Sequence, residues 1–150
     1  MTHLNTRALG WMLLAPLLMG IGPCGRLPGG SLSGEDETTP VTDWSFANGV
    51  GLCALEVNPT GPHSVTLNCM SWADRLFVSC SQCEGKTWSA YALRDSRGRI
   101  EVGTRVFPVD VNRVTDADLL DKVWVARANK LGNERRPRPD HWWSFELKSR

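Results

Sequence analysis

The pattern of apolar and polar positions divides the chain at Asp43. Before it, residues 8–22 (ALGWMLLAPLLMGIG) are apolar throughout and interrupted by Pro16, while residues 25–42 (GRLPGGSLSGEDETTPVT) carry almost nothing to bury. After it, short strand-like periods take over. VGLCALEV at 50–57 is an apolar run suited to a buried strand. HSVTLNCM at 63–70 alternates, with His63, Val65, Leu67 and Cys69 on one face and Ser64, Thr66, Asn68 and Met70 on the other. RLFVSC at 75–80 predicts a third strand, and NPTGP and Ser-Trp-Ala-Asp supply the intervening turns.

KTWSAYALR at 86–94 predicts a short helix with Trp88, Tyr91 and Ala92 on one side. A turn at Asp95–Gly98 leads into two further strands, RIEVG and TRVFPVDVNRV. In the second of these Pro108 lacks an N–H and calls for an edge or a bulge. Thr115-Asp116-Ala117-Asp118 reads as a capping box, opening a helix in which Leu119, Leu120, Val123, Trp124 and Leu131 recur at helical spacing up to Gly132. HWWSFELK at 141–148 is a final alternating strand. The order β-β-β-α-β-β-α-β predicts a mainly β (α+β) domain: a curved antiparallel sheet closing into a small barrel, with helices at its ends.

Composition narrows the partners. Lys+Arg number 17 against Asp+Glu 16, so no large field points to nucleic acid or to acidic lipid, and neither is expected as a main partner. The front of the chain reads as an export signal. Met1–Arg7 carries one fixed positive charge and no acid. The apolar run behind it is shorter than the about 20 residues of a spanning helix and suits the core of a signal peptide. Cys24, in IGPC, resembles a lipobox cysteine, with Gly22 fitting and Pro23 departing from the usual small residue. The expected organisation is a signal peptide or lipoprotein signal over 1–24, a flexible linker over 25–42 and the folded domain over 43–150. The expected location is the cell envelope, with Cys24 as the lipidation site of a membrane tether or with simple secretion as the alternative.

With Cys24 set aside, Cys53, Cys69, Cys80 and Cys83 remain, an even number that permits disulfides in an exported domain. Four cysteines allow three pairings, and the sequence selects none. Cys80 and Cys83 form a CxxC without the strand-helix-strand setting of a redox motif. A zinc site would need His63 or the strand cysteines to complete it, so no metal is expected and free or disulfide-bonded thiols are the leading reading. Of Trp142 and Trp143, adjacent on an alternating strand, one is expected to face the core and the other a rim or a dimer contact. Arg135, Arg136 and Arg138 lie in a Pro-containing loop and read as solvated.

Taken together, DWSF, PHSVTLNC, RLFVSC, GKTW and RIEVGTRVFPVDVNRVTDADLLDKVW resemble the split-barrel flavin-binding fold over roughly residues 43–147. This is the pyridoxamine-phosphate-oxidase-like group, which includes deazaflavin-dependent reductases. The resemblance implies a homodimer that binds FMN or deazaflavin across its seam and performs oxidoreductase chemistry on a small molecule. The positions matching the cofactor grip are His63, Ser64, Val65 and Thr66 on the second strand, Ser79 at the end of the third, Lys86 in the next turn, and Trp88 beside the phosphate arm. Hydroxyls and N–H groups donate to phosphate oxygens, and a lysine supplies counter-charge. No catalytic side chain is assigned, because hydride transfer belongs to the cofactor. Glu84 departs from the pattern: two residues from Lys86, its carboxylate repels phosphate unless a cation such as Arg75 or Arg105 pairs with it. A second reading is an exported barrel without cofactor, acting as a binding or structural module. A third is a thiol- or metal-dependent envelope protein.

Overall fold

The structure, a computed structural model, describes residues 29–150, so Cys24 and the signal segment lie outside the described residues. The strands are β1 (Cys53–Val57), β2 (His63–Trp72), β3 (Arg75–Ser81), β4 (Arg97–Val102), β5 (Arg105–Arg113) and β6 (Trp142–Ser149). They close into an antiparallel barrel in the order β1-β2-β3-β6-β5-β4. Helix α1 (Thr87–Arg94) follows β3 and helix α2 (Ala117–Leu131) follows β5, as the pattern predicted.

Alternation decides which side chains fill the barrel. Leu55 and Val57 of β1, Leu67 and Cys69 of β2, Leu76 and Val78 of β3, and Phe107, Val109 and Val111 of β5 share one buried core with Phe145 and Leu147 of β6. The two faces of β2 are those expected. Trp142 and Trp143 also divide, Trp143 packing against this inner core and Trp142 joining a separate cluster outside the wall. One mouth of the barrel is stopped by α1, whose Trp88 and Ala92 enter the core. The other is stopped by a 3-10 turn (Ser45–Gly49), where Trp44 meets Phe107 edge to face with centroids 5.0 Å apart.

The second helix departs from expectation. It lies along the outer wall, where its Val123 packs on the outward residues Met70, Phe77 and Trp142. Its cap is shifted by one residue: Asp116 accepts the Leu119 N–H at 2.7 Å, while Gly132 ends the helix in the left-handed conformation (φ 64°) that a C-cap demands. Ser71 and Trp72, expected in a turn, extend β2 instead, and the bend shrinks to Ala73-Asp74 with φ of 48° and 60°, matching the twist of a two-residue hairpin. Pro108 sits opposite Arg99 of β4, while its carbonyl accepts the N–H of Arg150 on the β6 side, just past the end of that ladder. The missing donor therefore falls at a local edge of a closed barrel.

The largest difference concerns the linker. Residues 29–42 run across the outside of the barrel as a belt. Gly29 donates to the Ser64 carbonyl, Leu32 donates to the Glu56 carboxylate at 2.6 Å, Glu37 donates to the Val106 carbonyl, and Val41 donates to Ser149 Oγ. Leu32 is 5% exposed, wedged with Ala54 and Val106. Arg99 reaches Asp36 at 2.7 Å and Glu56 at 3.3 Å, and Arg105 reaches Glu37 at 2.7 Å. A single apolar anchor and paired charges dock a segment whose composition alone reads as solvated.

Both cysteine pairs are disulfides: Cys53–Cys69, joining neighbouring strands across the inner face, and Cys80–Cys83, at the end of β3. The zinc alternative loses its thiolates to these bonds.

Three outcomes follow from this architecture. Leu32→Ala should lower unfolding stability by about 2 kcal/mol, the low end for a buried leucine; a free tether predicts no change in denaturant midpoint. Replacing Cys53 and Cys69 with serine should cost about 3 kcal/mol on the chain-entropy account of a loop this long, read in the same denaturation series. The third concerns pH. The hydrogen bond from Arg105 holds the Glu37 carboxyl below its ordinary value. A depressed carboxylate contributes stability above its ordinary value, and that contribution is lost as pH falls through the depressed one. The amide NMR signal of Glu37 should therefore move below the ordinary glutamate range as its pair with Arg105 is lost, while those of Val78 and Phe145 hold. A Glu37 signal that persists until the barrel itself unfolds contradicts this.

Candidate functional site

The residues singled out by the resemblance do not meet on one surface. His63 and Val65 point inward from β2, and the His63 ring lies 5.8 Å from that of Tyr91 on α1. Trp88 is 3% exposed and packs 5.0 Å from Phe145 in the core. Ser64, Thr66 and Ser79 belong to the outer face. Ser64 is buried beside the belt, Thr66 is exposed, and Ser79 is buried with its Oγ lacking a partner among the described residues. Lys86 stands exposed as the N-cap residue of α1. The wall of the barrel separates these two sets. A single chain therefore offers no continuous cradle from them for a ribityl phosphate.

The cations that were to relieve Glu84 are committed elsewhere. Arg75 forms a two-point pair with Glu146, at 2.9 and 2.6 Å, and this hydrogen bonding lowers the Glu146 carboxyl and raises Arg75. Arg105 is held by Glu37 of the belt. No ion pair of Glu84 is found among the described residues.

A different feature has the dimensions of a ligand site. Between α2 and the end of β2 lies an open groove of about 730 Å³. Its α2 wall runs through Asp118, Asp121, Lys122, Val125, Ala126, Asn129 and Lys130, facing Asn48, Ser71 and Trp72. The small side chains of Val125 and Ala126 open its middle. The Lys122 ammonium lies 5.5 Å from the Trp72 ring, and Asp121 is neutralised by Arg138 at 2.8 Å.

Lys130 fixes the closed end of the groove. Its Nζ donates to the carbonyls of Ala47, at 2.8 Å, and Cys69, at 2.5 Å, stitching α2 to the 3-10 turn and to β2. Burial pushes its ammonium below the ordinary lysine value. Asn48 faces the same space, with its amide hydrogen-bonded both ways to the backbone of Ser71. The groove thus combines an aromatic plate, a narrow apolar floor and amide and ammonium donors, a mix suited to a flat molecule with polar edges.

Sequence reasoning missed this groove because Ser71 and Trp72 were read as turn residues and α2 as an end cap. The available signal was the stripe of Asp118, Lys122, Val125, Ala126 and Asn129, a face of polar and shorter side chains on a helix whose other face carries Leu119, Leu120, Val123 and Trp124.

No protein-family model and no curated sequence matches this chain. Solved structures do match in three dimensions. A provisionally assigned pyridoxamine 5'-phosphate oxidase from Listeria innocua superposes with a TM-score of 0.57 at 7% identity, over 69% of this chain and 87% of its own. A provisionally assigned 5-nitroimidazole antibiotic resistance protein from Bacteroides thetaiotaomicron gives 0.57 at 11% identity, over 75% and 83%. A conserved hypothetical protein from Mycobacterium tuberculosis gives 0.59 at 14% identity, over 78% and 86%. Closed six-stranded order, capped mouths and these superpositions lead to one conclusion: this chain has the split-barrel fold of the pyridoxamine-phosphate-oxidase-like proteins.

Proposed function

We propose that this protein is an exported split barrel that binds a flat aromatic cofactor of the flavin or deazaflavin type and supports oxidoreductase chemistry on a small molecule. The observation that carries the reading is the groove between α2 and β2. Its volume of about 730 Å³ lies within the range of small-molecule sites, and it occurs on a fold shared with a provisionally assigned pyridoxamine 5'-phosphate oxidase. In this reading Trp72 stacks on the ring system, Asn48 and Asn129 meet its polar edge, and Lys122 attracts an anionic tail. The bound group supplies the hydride chemistry, and the chain orients it and keeps one face dry.

Export is supported by the two disulfides, which persist in oxidising compartments, and by the N-terminal apolar run. Anchoring through Cys24 and homodimerisation belong to the same proposal.

One observation favours the second reading, a barrel that has kept its shape as a binding module without flavin: the positions matching the phosphate grip are split between the two faces of the wall.

Titration with FMN, riboflavin and a deazaflavin separates the two. Binding at the groove predicts a shifted visible band and quenched cofactor fluorescence. Trp72→Ala should weaken affinity about tenfold, in keeping with the loss of one aromatic contact of about 1.4 kcal/mol, and Lys86→Ala should leave it unchanged. No spectral change at millimolar-range cofactor rejects the flavin reading and leaves the module. Weakening by Lys86→Ala but not by Trp72→Ala moves the site back to the β3–α1 turn.

A further inference from the structure

The barrel holds two disulfides in contrasting settings. Cys53–Cys69 links residues 16 apart in sequence and is sealed inside, with 1% and 0% exposure. Cys80–Cys83 closes a turn of only three residues' separation at a mouth of the barrel, with Cys83 at 0% exposure and Cys80, at 9%, the one cysteine of the four that reaches toward solvent. Around it Ser81, Gln82, Glu84, Gly85 and Lys86 are all exposed.

The fold does not depend on this second crosslink to shape the turn. Gln82 N–H donates to the His141 carbonyl at 3.0 Å and Lys86 N–H to the Cys83 carbonyl at 3.1 Å. Ser89 Oγ, within α1, donates to the carbonyls of Cys83 (2.5 Å) and Lys86 (2.9 Å). Backbone and hydroxyl thus close the loop that the sulfurs close again. A crosslink over so short a loop removes little entropy from the unfolded chain, so opening it leaves the native state standing.

We propose that Cys80–Cys83 is a reversible dithiol–disulfide site that exchanges electrons with an external protein dithiol. An incoming thiolate attacks Cys80 Sγ, the sulfur nearer solvent. The S–S bond breaks, Cys83 departs as a thiolate and takes up the proton that the donor thiol gave up on ionising, and a mixed disulfide joins Cys80 to the donor. The donor's second thiol then attacks its own sulfur of the mixed disulfide and releases Cys80 as a thiol. Two electrons and two protons enter the barrel protein, and the donor leaves as its disulfide. Run in reverse, the oxidised turn delivers a disulfide to a partner.

The same geometry supplies a built-in reporter. Cys80 stands directly opposite Trp143 in the β3–β6 ladder, on the same inner face, and the Arg113 guanidinium covers that indole at 3.5 Å. A disulfide beside an indole quenches its emission, whereas a dithiol quenches it less.

The test uses the full oxidised chain in glutathione buffers of graded poise, with alkylation and peptide mass mapping, and with tryptophan emission recorded in parallel. Cys80 and Cys83 should become alkylated, and emission should rise, in buffers where Cys53 and Cys69 remain bonded. The reduction rates of the two pairs should differ by at least about tenfold. Reoxidation should restore the original emission, and the reduced protein should keep its cooperative melt. The double replacement Cys80→Ser with Cys83→Ser should abolish the emission response without unfolding the barrel. Two results overturn the proposal: reduction of both pairs together, or reduction of Cys80–Cys83 only in denaturant.

Discussion

The seam between β1 and β4 is the contact on which the barrel depends. Without it the sheet is an open ribbon whose first and last strands, β1 and β4, are unpaired edges; with it those two edges satisfy one another. At Gly98, opposite Val57, the strands come so close that a Cβ would sit 2.6 Å from the Glu56 carbonyl oxygen and 3.2 Å from Val111. Only glycine fits there. On the outer side of the same seam, the 6% exposed Glu56 accepts the Leu32 N–H and faces Arg99 across the pair. One junction thus closes the wall inside and anchors the belt outside.

This arrangement explains what the sequence could and could not disclose. Strands were legible because their faces differ: His63, Val65, Leu67 and Cys69 meet a core while Ser64, Thr66 and Asn68 do not, and period two records that difference directly. Both helices carried local signals in their apolar spacing, and α2 also in its caps, Asp116 and Gly132. The belt had no such signal. Its partners Arg99 and Arg105 stand 63 and 68 residues downstream of Asp36 and Glu37, and nothing in a run of Gly, Ser and acids names them. Periodicity gives the buried face of a helix without giving the surface it meets, which is why α2 was expected at a mouth and lies on a wall.

The candidate site shows the same limit in sharper form. Residues adjacent along β2 are adjacent in sequence and opposite in space, so His63 and Ser64 cannot serve one ligand from one side of the sheet. The groove draws instead on a 3-10 turn, a strand end and one flank of a helix, brought together by Lys130 reaching back to Ala47 and Cys69. Such a site is a product of docking rather than of a contiguous motif. The disulfides illustrate the point again: three pairings were open, and the fold selects one because Cys53 and Cys69 are diagonal neighbours on adjoining strands.

The belt also gives the molecule a direction under load. Its bonds lie in series, from Gly29 on Ser64 through Leu32 on Glu56, Asp36 on Arg99 and Glu37 on Arg105 to Val41 on Ser149 and Trp44 on Asp74. A pull from upstream of Gly29 meets these one at a time, as in unzipping, before any strand of the barrel is sheared. The belt is therefore a compliant element under load: it yields in small steps and lengthens the chain before the load reaches the closed wall.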